Sequence, residues 1–339
     1  MHQPGYERSG GRKARDERTK AAPHAHSTRR GSVRAAIDVG SNSVHMLVAL
    51  VDGDSIVELG DRSTYFGLGP IVDRGGAIGA HRDRLVATIG DYVARARRLG
   101  ASDVRVVGTE PLRRAVDSER ASAELERRIG VTLDVLSHED EAFLMTVGAR
   151  AGRRVTRRQL LVDVGGGSTD CVLLEPGRPA RAWGVGLGTA RLTSDHVRRD
   201  PPRAQEIASL RIAARSALDG QPDYDSELVA VGGSARNLAK VAGGAALDRM
   251  LSVDRLARVM AELEDETSVR FATRRRINAW RARLLPAGVA ILEAVLDRAG
   301  RPVLQVSRAG LREGLALASV RAGSSWREAL PELAKGWRD

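Results

Sequence analysis

The segment Asp38-Val39-Gly40-Ser41-Asn42-Ser43 returns in altered form as Asp163-Val164-Gly165-Gly166-Gly167-Ser168, an offset of 125 residues that also carries Gly40 to Gly165 and Ser43 to Ser168. Each copy follows a short apolar run (Ala35 to Ile37, then Leu160 to Val162) and leads into another (Val44 to Val51, then Cys171 to Leu174). Strand, acid, glycine-rich turn, small hydroxylated residue and strand together predict a hairpin whose tip exposes backbone N–H groups. Such groups, with Ser, Thr and Asn side chains, can cradle phosphate oxygens. An Asp at the end of the first strand can hold a divalent cation against those oxygens. Gly-Ser turns are common, so one copy means little. Two in register predict a duplicated domain with a phosphate site in the cleft between the halves.

At 339 residues the chain suits two domains of about 150 residues each. The 42% hydrophobic fraction is enough for packed cores, and with only 3% aromatic residues these must rest on Leu, Val, Ala and Ile. No apolar stretch approaches the roughly 18 residues of a membrane helix, and no apolar leader begins the chain. Cys171 is the sole cysteine, so no internal disulfide can form, and the expected location is a reducing cytoplasm. The formal charge is +11, of which residues 1–33 carry +5. A cationic body favours polyanions, but 50 of the 54 basic residues are Arg, a bias that base composition of the genome explains as well.

Residues 1–33 are polar, basic and without periodicity, and read as a disordered tail. From Arg34 strands and helices alternate. Residues 55–59 read as a strand and 62–76 as a glycine-punctuated loop. Residues 80–99 show helical spacing in Leu85, Ile89, Val93 and Ala96. Ser137-His138-Glu139-Asp140 has the form of a capping box opening a helix. The second half repeats the plan and ends rich in helix, which predicts an α/β protein of two similar lobes.

Seven segments then occur in a telling order: AAIDVGSNSVHMLVA at 35–49, VGTEPLRRA at 107–115, EDEA at 139–142, LLVDVGGGSTD at 160–170, GVGLGTARLT at 184–193, AVGGSARNLAKV at 230–241 and LREGL at 311–315. Together they resemble the exopolyphosphatase / guanosine pentaphosphate phosphohydrolase (Ppx/GppA) family, over nearly all the chain from Arg34 to Val320. The resemblance implies the acetate kinase–sugar kinase–Hsp70–actin fold: two duplicated actin-like, ribonuclease H-like lobes with an interdomain cleft. It places a first lobe at 34–137 and a second at 138–307, with a returning helix at 308–322 as the candidate for completing the first. The chain resembles the short, two-domain form.

By the same resemblance Glu141 matches the second acid of a Glu-Glu-Ala motif and is the candidate base, orienting and deprotonating water beside a terminal phosphate. Arg113 matches the Arg of a Leu-Arg-x-Ala motif and is the candidate for stabilising phosphoryl charge through its two-pronged guanidinium. Asp163 and Asp170 are expected to hold Mg²⁺, with Asp38 in support, because hard oxygen ligands suit that ion. Asp170 departs from the family's usual Glu and is one methylene shorter. Ser41, Asn42, Ser43, Gly166, Gly167, Ser168 and Thr169 are the expected donors to phosphate, and Gly232, Gly233 and Ser234 resemble a third phosphate turn. His45, His81, His138 and His196 show no metal-ligand spacing and read as packing residues.

The expected activity is Mg²⁺-dependent removal of terminal phosphate from inorganic polyphosphate, guanosine pentaphosphate or both. A kinase or ATPase of the same fold and a non-catalytic polyphosphate- or alarmone-binding regulator stay open. A nucleic-acid role rests on charge alone and ranks last. No membrane association is expected, and a homodimer is left open.

Overall fold

A computed structural model describes residues 31–335 apart from 154, 223–224 and 244–248. The tail expected at 1–33 falls outside this range save for its last three residues, two of which already belong to the first strand.

The first sheet is built from β1 (Ser32–Val39), β2 (Ser43–Asp52), β3 (Ser55–Tyr65), β4 (Asp103–Gly108) and β5 (Leu133–Val135). Between β3 and β4 lie α1 (Leu68–Gly75) and α2 (Arg82–Arg98), and between β4 and β5 lie α3 (Glu110–Arg114) and α4 (Ser118–Ile129). The segment read as a loop at 62–76 is instead the end of β3 followed by α1. Polar residues at 61–64 are compatible with a strand there because β3 lies at the sheet edge, exposed over most of its length. α5 (His138–Arg150) leads out of this sheet.

The second sheet holds β6 (Gln159–Val164), β7 (Thr169–Leu174), β8 (Arg181–Val185), β9 (Glu227–Val231), β10 (Met250–Ser252) and β11 (Val303–Val306). Its helices are α6 (Thr189–His196), α7 (Ala204–Leu218), α8 (Gly232–Val241), α9 (Val253–Asp265), α10 (Ser268–Arg275) and α11 (Ala279–Arg298), and α12 (Leu311–Ala322) and α13 (Leu330–Ala334) close the described chain.

The strand orders are β3-β2-β1-β4-β5 and β10-β11-β9-β6-β7-β8. Reading the second from its far end, β8-β7-β6-β9-β11 reproduces the first, with β10 added at the edge. In both, the hairpin is antiparallel (β1–β2, β6–β7) and the next neighbour parallel (β1–β4, β6–β9). The duplication read from two turns thus extends to whole sheets. Parallel neighbours require crossover helices that cover the faces, which is why β1 and β6 read as apolar runs: Ala35, Ala36, Ile37 and Val39, and Leu160 to Val162 with Val164, are buried.

α5 decides where the site lies. Ser137 caps it, accepting from the Asp140 backbone N–H at 3.0 Å, while Asp140 returns a carboxylate to the Ser137 N–H at 2.9 Å. Every residue from Glu141 to Gly148 is buried, since both sides of the helix are covered. Phe143, Leu144 and Val147 pack with Leu315 and Leu317 of α12 and Ala36 of β1. Ala142 and Met145 pack with Leu161, Val172 and Val231 of the second sheet. The boundary expected at 137/138 therefore falls at the start of a helix that both sheets share. Its approach to α12 is a backbone contact: a Cβ on Gly148 would lie 2.7 Å from the Gly314 nitrogen, and a Cβ on Gly314 would strike the Leu144 carbonyl. Two glycines set the depth of the helix carrying Glu141.

Candidate active site

Both turns close in the same way. The Gly40 N–H donates to the Ser43 carbonyl at 3.1 Å, and the Gly165 N–H to the Ser168 carbonyl at 2.9 Å. They face each other: a Cβ on Gly166 would stand 2.5 Å from Asn42 Nδ2 and 2.9 Å from Ser41 Cβ. With Gly232, Gly233 and Ser234 at the start of α8 they line one cleft of about 180 Å³, into which Asp38, Glu141, Asp163 and Asp170 also open.

Thr169, expected to donate to phosphate, does not line this cleft. Strand alternation turns it away from Ser168 and Asp170; it is fully buried, and its hydroxyl donates to the Leu187 carbonyl at 2.6 Å. Arg113 is also absent from the cleft wall. It stands behind Glu141, donating from Nη1 to Glu141 Oε1 at 2.7 Å and to the Leu136 carbonyl at 2.9 Å, with Nη2 3.2 Å from His138 Nδ1. Its contact with the cleft residues runs through Glu141.

The register of the two hairpins is Asp38 opposite His45 and Asp163 opposite Asp170. His45 and Asp170 are themselves 125 residues apart, so the lobes place different groups at one position. In the second lobe two acids result. Burial foremost, then the charges of Asp170 and Asp38, raise the Asp163 carboxyl to about 7. Burial raises Asp38 to about 6 against the pull of Arg312. Burial, and after it the charge of Asp170, pushes Glu141 well above the usual carboxylate range, with Arg113 pulling it back. Asp38 Oδ1 is shut off from solvent without a hydrogen-bond partner. Crowded carboxylates and an orphaned oxygen are what a divalent cation with oxygen ligands satisfies, so the residues present fit such an ion.

In the first lobe the equivalent position holds an imidazole ringed by arginines. His45 is held neutral by burial and by Arg312, Arg281 and Arg236, and its Nε2 lies 2.6 Å from Ser43 Oγ. Arg236, Arg281 and Arg312 all line the cleft. Arg312, 6% exposed, pairs with Asp61 at 2.9 Å. Arg281 and Trp280, at the start of α11, reach the first lobe: Arg281 donates to Ser63 Oγ at 3.0 Å, and the Trp280 and Tyr65 ring centroids are 4.9 Å apart. Across the other side, Glu110 of α3 pairs with Arg191 of α6 at 3.0 Å.

Sequence reasoning missed these groups. His45 had a signal, because the repeat offset that leads from Asp38 to Asp163 also leads from His45 to Asp170. Arg281 had none among 50 arginines, whereas Arg236 and Glu110 lay inside motif segments that drew attention to the turn at 232–234 and to Arg113 instead.

The model of the Ppx/GppA phosphatase family matches residues 68–322. Exopolyphosphatase 1 of Mycobacterium tuberculosis is 28% identical over 299 residues, covering 83% of this chain and 86% of that one. The guanosine-5'-triphosphate,3'-diphosphate pyrophosphatase of Vibrio cholerae is 25% identical over 293 residues, covering 85% of this chain but only 59% of the longer enzyme. Among solved structures, the Ppx/GppA family member of Aquifex aeolicus superposes with a TM-score of 0.74 at 22% identity over 87% of this chain and 99% of that one. An exopolyphosphatase of Cytophaga hutchinsonii also reaches 0.74, at 20% identity, over 86% and 98%. The paired sheets, the opposed turns and a family match spanning most of the described residues lead to one assignment: the chain belongs to the Ppx/GppA phosphatase family.

Proposed function

We propose that this chain is a phosphoanhydride hydrolase that removes the terminal phosphate of inorganic polyphosphate or guanosine pentaphosphate in a Mg²⁺-dependent reaction. One observation carries the reading: Glu141, a buried carboxylate on a helix pinned between the lobes, opens into the cleft that both glycine-rich turns line. The names of the relatives, an exopolyphosphatase and a guanosine pentaphosphate-type pyrophosphatase, support the substrate class.

Ser41, Asn42 and Ser43 from the first lobe, and Gly166, Gly167 and Ser168 from the second, donate to the terminal phosphate from opposite sides. Gly232, Gly233 and Ser234 take the phosphates behind it. Arg236, Arg281 and Arg312 supply the positive wall along which the rest of the anion lies. Glu141 accepts the proton of the attacking water, and Arg113 holds its carboxylate in place. A raised pKa suits this role, because a base works best when its proton affinity lies near the working pH. Asp163 and Asp170, with Asp38 beside them, hold Mg²⁺, which when bound offsets charge on the phosphate oxygens.

The test is orthophosphate release from long-chain polyphosphate and from guanosine pentaphosphate, side by side, with and without Mg²⁺. Release from at least one substrate, dependent on the cation, is expected. Glu141→Gln is expected to lower turnover by about 10²- to 10⁴-fold while substrate binding survives. No release from either substrate, or undiminished turnover in the variant, overturns the reading.

A further inference from the structure

Asp170 is engaged at both oxygens. Oδ1 lies 2.7 Å from His138 Nδ1, and Oδ2 accepts from Ser168 Oγ at 3.0 Å. His138 is the first residue of α5 and reaches Asp170 over the outer edge of β7, where Gly184 of β8 is the register partner of Asp170. A Cβ at 184 would stand 2.5 Å from His138 Nδ1 and 2.9 Å from Asp170 Oδ1. The missing side chain there is what lets the imidazole and the carboxylate meet. One donor atom from each of His138, Glu141 and Asp170 lies within 4.8 Å of the others.

That spacing is close to a coordination geometry. Two adjacent ligand atoms on an octahedral ion, each about 2.1 Å from it, are roughly 3 Å apart. His138 Nδ1 and Asp170 Oδ1 can straddle one ion after a displacement of a few tenths of an ångström. A second observation is independent of this pair: Oδ1 of Asp38, a residue of the same cleft lining, is buried without a hydrogen-bond partner, so the protein alone leaves that oxygen unsatisfied. The donor type then selects the ion. Carboxylates alone suit Mg²⁺ and Mn²⁺ alike, whereas an added imidazole nitrogen favours a first-row transition metal, of which Mn²⁺ is the one that also accepts a carboxylate-rich set.

We propose that His138 supplies a nitrogen ligand, beside Asp170, to the divalent cation of the cleft, and that this chain therefore binds Mn²⁺ in preference to Mg²⁺. The inference rests on the hydrolase reading only in placing a cation at Asp170. Ligation through Nδ1 puts the imidazole proton on Nε2, 3.4 Å from Arg113 Nη2, so the guanidinium prong must leave the ring for the ion to bind. Arg113 Nη2, now 3.2 Å from Nδ1, turns away from that nitrogen, and its Nη1 bond to Glu141 stays.

The experiment is direct metal binding by the full chain, stripped with chelator and titrated with Mn²⁺ or Mg²⁺ by calorimetry, with pulsed electron paramagnetic resonance of the Mn²⁺-loaded protein. Nitrogen (¹⁴N) coupling to the bound Mn²⁺ is expected in the wild type and is expected to vanish in His138→Ala. Mn²⁺ affinity is expected to fall by more than the roughly 10- to 100-fold that loss of an outer-shell partner costs, while Mg²⁺ affinity stays nearly constant. His138→Asn serves as a second variant, with circular dichroism melts to show that both fold. Absence of ¹⁴N coupling in the wild type, or equal losses for both ions, overturns the proposal and identifies His138 as a hydrogen-bond partner of Asp170 only. Mg²⁺-dependent phosphate release by either variant is a separate readout, so hydrolysis can stand where the nitrogen ligand fails.

Discussion

Asp163 is the group where stability and metal binding oppose each other most directly. Its carboxyl ionises near 3.8 in an unfolded chain but only near 7 in the fold without a cation, because burial, Asp170 and Asp38 all disfavour its charge. The sign follows from linkage: between those two values the folded state binds more protons, so stability is fully present below 3.8 and is lost as pH rises through 7. Three units at about 1.4 kcal/mol each give roughly 4 kcal/mol, an upper bound because the carboxylate opens into a water-accessible cleft. Asp163→Asn removes the charge and keeps the shape. In chelator, the variant is therefore expected to match the wild type near pH 4 and to exceed it by up to about 4 kcal/mol at pH 8. Saturating Mg²⁺ is expected to raise the wild type by more than the variant. Urea unfolding followed by circular dichroism at pH 4, 6 and 8 measures the difference. A stability gap that does not widen with pH in chelator refutes the reasoning.

The remaining predictions touch other parts of the same construction. Adding Mg²⁺ to the stripped protein at pH 6.5 is expected to release roughly one proton per ion, chiefly from Asp163, seen as a dependence of the calorimetric heat on the buffer's ionisation enthalpy; a heat independent of buffer counts against it. Gly314→Ala sets a Cβ against the Leu144 carbonyl and is expected to destabilise the fold by about 1–3 kcal/mol and to lower turnover, since α5 must move with Glu141 on it. A neutral result in thermal melts would show that the two helices slide freely. Thr169→Val is expected to lower stability by about 1–2 kcal/mol through the unpaired Leu187 carbonyl while leaving KM unchanged, and a raised KM would return this hydroxyl to the phosphate site.

Local chemistry made much of this protein readable. Gly-rich turns between apolar runs have few conformations open to them, so the two hairpins, the capping box at Ser137 and the helix around Leu85 to Ala96 follow from residues close in sequence. The repeat offset of 125 residues added long-range information, because a duplicated turn implies a duplicated sheet and a cleft between copies. Glu141 drew attention for a different reason, its motif rather than its surroundings.

What stayed hidden depends on which surfaces meet. Residues 62–65 are polar enough for a loop, and only pairing with β2 makes them a strand. Thr169 and Ser168 are equivalent as residue types; the alternation that sets in where the turn enters β7 assigns Ser168 to the cleft and Thr169 to the core. Arg113 was placed on the phosphate by its motif, yet the fold sets its guanidinium on Glu141 near the start of α5. His138 gains a partner only because Gly184, 46 positions away, lacks a side chain where β8 passes α5. Sequence alone determined the two glycine-rich turns, the strands that flank them and the repeat, since each copy is fixed by neighbours within a few residues. The tertiary structure decided which charges share the cleft, because contact between distant segments depends on the depth and direction of packing, and no local pattern encodes that.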